Sequence, residues 1–221
     1  MPRQLRIQTP GLTRHVMSRG NGRMPIFLDD CDYRQFTYLL GDSLSRWGIR
    51  CWNYCVMPNH YHATIEPALP NISQAIRQLN GAYGQWWNRR HGRVGHVFQG
   101  RFKDQVVDRD GYLLALSRYV VMNPVRAGLA KRPEDWPWSS YRATVGHTLV
   151  PAFLDASATL RLFGDGPETS LRADYASHVT AGSDDAALTD RFRSAERVLG
   201  SRDFKDEVLA LARGRKDVTA R

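Results

Sequence analysis

The sequence predicts an α+β fold: a βαββαβ unit forming an antiparallel sheet with helices on one face, followed by a helical C-terminal extension. Period-2 alternation marks strands at residues 12–19, 49–56 and 60–66, while period-3.6 spacing marks helices at 30–47 and 72–86. The two kinds of segment interleave as strand, helix, strand, strand, helix, strand, with turn residues at each junction.

In the first strand, His15, Met17 and Arg19 alternate with Val16 and Ser18, and Asn21-Gly22 signals the turn that follows. Asp29 and Asp30 are placed to cap a helix whose stripe is Tyr33, Phe36, Leu40, Leu44 and Trp47, with Gly48 as its stop. Residues 49–56 (IRCWNYCV) read as a strand, broken by Met57-Pro58-Asn59 before the strand His60–Glu66. Asn71 or Ser73 caps a second helix on which Ile72, Ile76, Leu79, Tyr83 and Trp86 recur. Gly92 and Gly95 mark a loop, Gln99–Val107 is extended, and Asp110 caps a third helix that must end near Pro124. These elements define a domain at 1–143 and an extension at 144–221, where helices are expected at 186–199 and 202–213, separated by Gly200, with Gly182 and Ser183 in a preceding loop.

The chain has 221 residues and a formal charge of +9. A composition of 42% hydrophobic and 24% charged residues excludes wholesale disorder and fibrous repeats. No apolar run reaches the roughly 18–20 residues of a membrane span, and the first residues hold no apolar signal region, so no membrane association is expected and the expected location is cytoplasmic. Three cysteines, Cys31, Cys51 and Cys55, do not make a disulfide framework.

The positive charge is unevenly placed. Residues 1–143 hold 20 Lys+Arg against 10 Asp+Glu, and residues 144–221 hold 11 against 12. Residues 67–103 contain no acid at all, but do contain Arg77, Arg89, Arg90, Arg93, Arg101 and Lys103 interleaved with Tyr83, Trp86, Trp87, Phe98 and Phe102. Cations neutralise phosphates and aromatic faces stack on unpaired bases, so the stretch points to a polyanion, although a solvated basic face over core aromatics has the same composition.

His60 and His62 are two apart on a strand and so share a face, where two imidazoles can converge on one ion. Glu66 lies further along that face as a ligand or, by preference, a salt-bridge partner; Cys51 and Cys55 share a face of the preceding strand, too far apart for one tetrahedral site without a bend. On the third helix Tyr119 and Asn123 are four apart and adjacent, offering a phenol and a neutral oxygen ligand, while Leu113, Leu116 and Val120 anchor the helix through a separate stripe.

The segments MPNHYHATIEP (57–67), LNGAYGQWWNRRHGRVGHVFQGRFK (79–103), YVVMNPVRAGL (119–129) and WPWSSYRA (136–143) together resemble the REP-associated tyrosine transposases, relatives of the IS200-like transposases in the HUH superfamily. The resemblance covers residues 12–143. It implies a ferredoxin-like sheet, with His60 and His62 as ligands of a divalent metal ion, Mg²⁺ or Mn²⁺, Asn123 as a third ligand and Tyr119 as the nucleophile. The implied activity is cleavage and strand transfer of single-stranded DNA at repetitive palindromic hairpins through a 5′-phosphotyrosine intermediate. The DNA-contacting candidates are then Arg14, Arg19, Arg89, Arg90, Arg93, Arg101 and Lys103. Relatives include dimers with shared sites and monomers. The repeat-associated branch points to a monomer, in the cytoplasm with the nucleoid.

Two other readings compete. A non-catalytic hairpin-binding protein that regulates or organises repeats shares the basic surface, but it does not need the quartet His60, His62, Tyr119 and Asn123 that this chain keeps. A zinc-stabilised RNA-binding protein would use Cys51, Cys55, His60 and His62, and ligand geometry ranks it last.

Overall fold

The structure is a computed structural model that describes residues 6–181 and 186–218. Its sheet is built from β1 (Arg14–Arg19), β2 (Ile49–Met57), β3 (His60–Pro67) and β4 (Lys103–Val107), with β2-β3-β1-β4 as neighbours and all three pairings antiparallel. Two helices complete the βαββαβ unit, α1 (Asp30–Arg46) between β1 and β2 and α2 (Ile72–His91) between β3 and β4.

α1 begins where the Asp29 carboxylate accepts from the backbone N–H groups of Cys31 and Asp32, a cap worth about 1 kcal/mol. Its stripe of Tyr33, Phe36, Leu40 and Leu44 is buried against Val16, Tyr61, Ala63 and Ile65 of the sheet and Ile72, Ile76, Leu79 and Tyr83 of α2. Each such side chain contributes roughly 1.5–3 kcal/mol by leaving water. α2 ends at Gly92, whose φ of 60° gives the left-handed turn that a side chain would strain. Asn71, expected as the cap of α2, makes no side-chain cap and instead donates to the Trp47 carbonyl, tying the two helices together.

α1 and α2 occupy one side as expected, but α3 (Arg109–Val121) packs on the other, where Leu116, Tyr119 and Val120 meet Cys55 and Met57 of β2 and Val107 of β4. Nothing in the helix's own periodicity says which face of a sheet it will cover.

The two cysteines do not share a face. A β-bulge between Cys51 and Asn53 shifts the alternation of β2. Cys51 therefore joins the core under α1 and α2, and Cys55 joins the α3 side. Burial pushes both thiols up, and because they lie on opposite faces of the sheet they cannot join His60 and His62 around one zinc ion.

The segment after α3 is woven into the sheet. A short turn α4 (Asn123–Arg126) follows the break before Pro124. The tryptophan-rich motif then covers the open edge of β2: the Val56 N–H donates to the Trp138 carbonyl, the Ser140 N–H to the Tyr54 carbonyl and the Trp136 indole to the Val56 carbonyl. Beyond it come α5 (Tyr141–Thr144), α6 (Ala156–Leu160), α7 (Glu168–Ala181), α8 (Ala186–Arg193), β5 (Val198–Leu199) and α9 (Arg202–Val218).

Two features of this tail differ from expectation. The helix α7 lies where no helix is expected from the sequence, and the helix expected to reach 199 stops at Arg193. Ser194 turns the chain by donating to the Arg191 carbonyl, and Val198-Leu199 pairs in parallel with Val106-Val107 as a fifth strand. A Cβ on Gly200 would stand 2.3 Å from the Phe204 ring and 3.0 Å from Asp108, so glycine is what allows α9 to turn back so closely. Gly182 and Ser183 lie outside the described residues.

Candidate active site

Strand alternation puts His15, Met17 and Arg19 of β1 on the α3 side of the sheet, and the antiparallel register sets Met17 opposite His62 and Arg19 opposite His60. His60 and His62 therefore share that face, with ring centroids 4.9 Å apart. Tyr119 comes down from α3 with its ring edge-on to His62 at 5.8 Å and to His15 at 5.7 Å. Asn123 is held one turn further on, its amide N–H groups donating to the Tyr119 carbonyl at 2.9 Å and the Val120 carbonyl at 3.2 Å. These side chains line one cavity of about 570 Å³, closed on its far side by Phe192 and residues 193–196. The sheet histidines and the helix phenol thus meet at one place.

The Tyr119 ring is 5% exposed, gripped by Phe192 at 5.1 Å and by the Arg126 guanidinium 4.6 Å above its face. Arg126 also donates to the Tyr119 carbonyl. The hydroxyl belongs to a residue lining the cavity and is not one of the buried polar atoms left without a partner. The buried ring is thus held in one orientation at the cavity wall, the arrangement that pre-positioned attack by a phenol would need.

Burial favours the neutral form of both histidines. Burial lowers His60 to about 4, with the charges of Arg19 and His15 adding to it, and burial lowers His62 well below its ordinary value. Neutral imidazoles keep a lone pair for a metal. His60 presents it on Nε2. Its Nδ1 lies 2.6 Å from Asn59 Oδ1, and the sense of the Asn59 amide is set by its own Nδ2 donating to the Arg23 carbonyl, so the ring must be the donor.

Among the described residues no three His, Cys, Asp or Glu side chains cluster to hold an ion by themselves. The available set is two imidazoles and the Asn123 Oδ1, which the two Nδ2 bonds leave without a partner among the described residues. That set fits a divalent ion whose remaining ligands are oxygens from a substrate or water. Glu66 is not part of it: it accepts from the Thr13 hydroxyl and pairs with Arg50 at 3.5 Å.

The basic candidates divide by their partners. Arg19 lines this cavity, and with Arg101 and Lys103 it also lines an adjoining surface depression. Arg89 and Arg93 are exposed at the end of α2. Arg90 is held between Asp29 at 2.8 Å and the buried Asp32, and its guanidinium brings the Asp29 carboxyl down to about 2. Arg14 is corrected outright. Its side chain is 0% exposed on the opposite face of β1, chelating Asp104 and donating to the carbonyls of Ile7 and Thr9, so no phosphate can reach it. The aromatics interleaved with these arginines are mostly core: Tyr83, Trp87, Phe98 and Phe102 are buried.

Three residues of the site were not singled out from the sequence. His15 was visible as a strand residue in phase with Met17 and Arg19, but its neighbour across the sheet depends on register. Arg126 is three residues after Asn123, and the turn at Pro124 is what folds it back over Tyr119. Phe192 comes from the extension, and no local signal connects it with the site.

The described residues contain no helix long and apolar enough to cross a membrane. A curated Haemophilus influenzae protein, named as a REP-associated tyrosine transposase, is 25% identical over 158 residues, covering 63% of this chain and 90% of that protein. A solved structure of a REP-associated tyrosine transposase bound to a REP hairpin superposes with a TM-score of 0.56 at 19% identity, over 69% of this chain and 90% of that one, and so shares the fold. The sequence profile described as "Transposase IS200 like" matches residues 8–123, more than half the chain and the stretch that builds the sheet and delivers Tyr119 and Asn123. The chain belongs to the IS200-like transposase family.

Proposed function

We propose that the chain is a metal-dependent tyrosine transposase that cleaves and rejoins single-stranded DNA beside repetitive palindromic hairpins. The observation that carries this reading is the convergence of His60, His62, Tyr119 and Asn123 on one cavity, bordered by the cations Arg19 and Lys103. A divalent ion, Mg²⁺ or Mn²⁺, held by the His60 and His62 imidazoles and the Asn123 amide oxygen would polarise the scissile phosphate. Tyr119 Oη attacks phosphorus, loses its proton and becomes esterified. The P–O3′ bond breaks, the 3′ oxygen leaves as a hydroxyl after taking up a proton, and the 5′ side of the DNA stays on the protein. Attack by a 3′-hydroxyl reverses the step and joins strands, and no external energy source enters the balance.

The nucleophile belongs to the enzyme and is fixed by Phe192 and Arg126, so its orientation is set before DNA binds. One copy contributes both histidines and the tyrosine to the same cavity, which supports a monomer as the working unit. The test is to mix the protein with single-stranded oligonucleotides copied from palindromes flanking its reading frame, in Mg²⁺ or Mn²⁺, and resolve the products under denaturing conditions. A protein–DNA adduct is expected. Tight binding without any adduct across hairpins and both ions would leave the non-catalytic reading in its place.

The exposed cations beside the cavity carry a separate prediction. If Arg101 and Lys103 each contact a phosphate, Arg101→Ala and Lys103→Ala each reduce the slope of log affinity against log salt by about 0.7–0.9. Hairpin binding measured between 50 and 300 mM salt checks this, and an unchanged slope removes the residue from the interface.

A further inference from the structure

We infer that Asn59 is a positioning residue for the proposed reaction. One end of its side-chain amide holds the His60 ring by Nδ1, and the other end holds the turn that carries Arg23 to the depression beside the cavity. The inference deepens the reading above and rests on His60 being a ligand.

Asn59 lies in the two-residue turn between β2 and β3, where Met57 pairs with His60. Its Oδ1 stands 2.6 Å from His60 Nδ1, and its Nδ2 donates to the Arg23 carbonyl at 2.8 Å. The second bond decides the sense of the first. A carbonyl oxygen only accepts, so the Nδ2 end must face Arg23 and the Oδ1 end must face the ring. His60 therefore donates from Nδ1, and its Nε2 keeps the lone pair that an ion takes.

The Arg23 carbonyl is itself held in an unusual place. With φ at 62°, Arg23 is the one non-glycine residue with a positive φ among the described residues. A residue with a side chain keeps that conformation only where its surroundings impose it. Here the surroundings include the turn that bears Asn59. The Gly20 N–H donates to the Asn59 carbonyl at 2.8 Å, and the N–H groups of Ile26 and Phe27 donate to the Pro58 carbonyl at 2.9 and 3.1 Å. A Cβ on Gly20 would stand 2.3 Å from the Met24 carbonyl oxygen, so the loop closes as tightly as glycine permits. The Asn59 amide locks the two turns together through a side chain.

What the turn presents is a cation. Arg23 is exposed and lines the same depression as Arg19, Arg101 and Lys103. One amide thus joins an ion ligand to the backbone under a charge that borders the proposed DNA path. A ligand histidine that gives its second N–H to an oriented acceptor is the usual way a metal site sets ring orientation. Here that acceptor takes its own orientation from the DNA side of the site.

The test reads both ends in the metal-free, full-length chain. Long-range ¹⁵N–¹H correlation on ¹⁵N-histidine-labelled protein is expected to show wild-type His60 protonated on Nδ1 and bare on Nε2. Hydrogen exchange at Met24, whose N–H donates to the Asn21 carbonyl at 3.1 Å, reports on the turn. Asn59→Leu removes both ends. His60 then loses its single tautomer, Met24 exchanges faster, and Mn²⁺ affinity by calorimetry falls about 10–100-fold. Asn59→Asp keeps an acceptor for the ring but has no hydrogen for the Arg23 carbonyl. It is expected to keep the His60 Nδ1–H while losing the protection of Met24, a split that general loosening of the fold would not produce. Asn59 itself has no positive φ, so neither replacement strains its turn. A wild-type His60 carrying its proton on Nε2 overturns the proposal, as does an Asn59→Leu protein with unchanged tautomer and unchanged Mn²⁺ affinity. Equal Met24 protection in all three proteins overturns the link to the turn. Failure of the wild type to bind Mn²⁺ would count against the ion reading instead, and the tautomer and exchange data would still decide the role of Asn59.

Discussion

Tyr119→Phe is expected to abolish the proposed covalent protein–DNA adduct while leaving hairpin affinity within about twofold and thermal stability almost unchanged. The asymmetry follows from what the hydroxyl does in the free protein. The ring is held by Phe192, Arg126, His15 and His62, and all of those contacts are to carbon atoms and faces that phenylalanine keeps. The oxygen belongs to a residue lining the cavity and is not one of the buried polar atoms left without a partner, so its deletion costs little in the free protein. The stability change should stay within about 0.5 kcal/mol. Under the proposed mechanism the chemical loss has no floor of that kind, because the oxygen is the atom that would bond to phosphorus, and no other tyrosine among the described residues lines the cavity. Any surviving metal-dependent cleavage would have to use water and would release free 5′ ends rather than a protein-linked strand. A denaturing gel of labelled DNA separates these results, and an undiminished adduct in the variant would remove Tyr119 as the nucleophile.

The parts of this site that were readable in the chain are those whose geometry is local. The His60–His62 pair follows from two-residue periodicity, and Tyr119 with Asn123 from a four-residue helical spacing; in each case the partner lies within one turn or one pleat. The strands and both helices of the βαββαβ unit follow from the same periodicities, reinforced by Asp29, Gly48 and Gly92 at the helix ends. What was not readable depends on contacts across the sheet. The bulge at Cys51 and Asn53 leaves no mark in composition, yet it sends Cys51 and Cys55 to opposite faces. Arg14 stands in the same basic run as Arg19, but one step of strand parity turns it into the interior, where Asp104 receives it. Val198-Leu199 extends a sheet only because β4 offers an open edge, a property of the assembled fold. The same is true of His15, whose Nε2 reaches His62 Nδ1 only because β1 and β3 pair in this register.

Asp104→Ala is expected to destabilise the protein by about 3–5 kcal/mol, the cost of leaving a buried charge unpaired. Asp104 receives Arg14 at 2.9 Å and Arg6 at 3.2 Å, and its own side chain is nearly as buried as Arg14. Without the carboxylate, Arg14 keeps its bonds to the carbonyls of Ile7 and Thr9 but loses its counter-charge in a place water does not reach. Because the penalty belongs to the surviving partner, the double variant Arg14→Met with Asp104→Ala should recover a large part of it, a non-additivity that a surface pair would not show. Urea unfolding of the two single variants and the double variant measures it; a loss below about 1 kcal/mol in Asp104→Ala, or strictly additive losses, would mean the pair is not acting as a buried unit. The same set of variants separates structure from recognition at the two arginines of β1. Arg14→Met should weaken hairpin binding only as far as it depletes folded protein, with the salt slope intact, whereas Arg19, which lines both the cavity and the depression beside it, should change that slope when replaced by alanine.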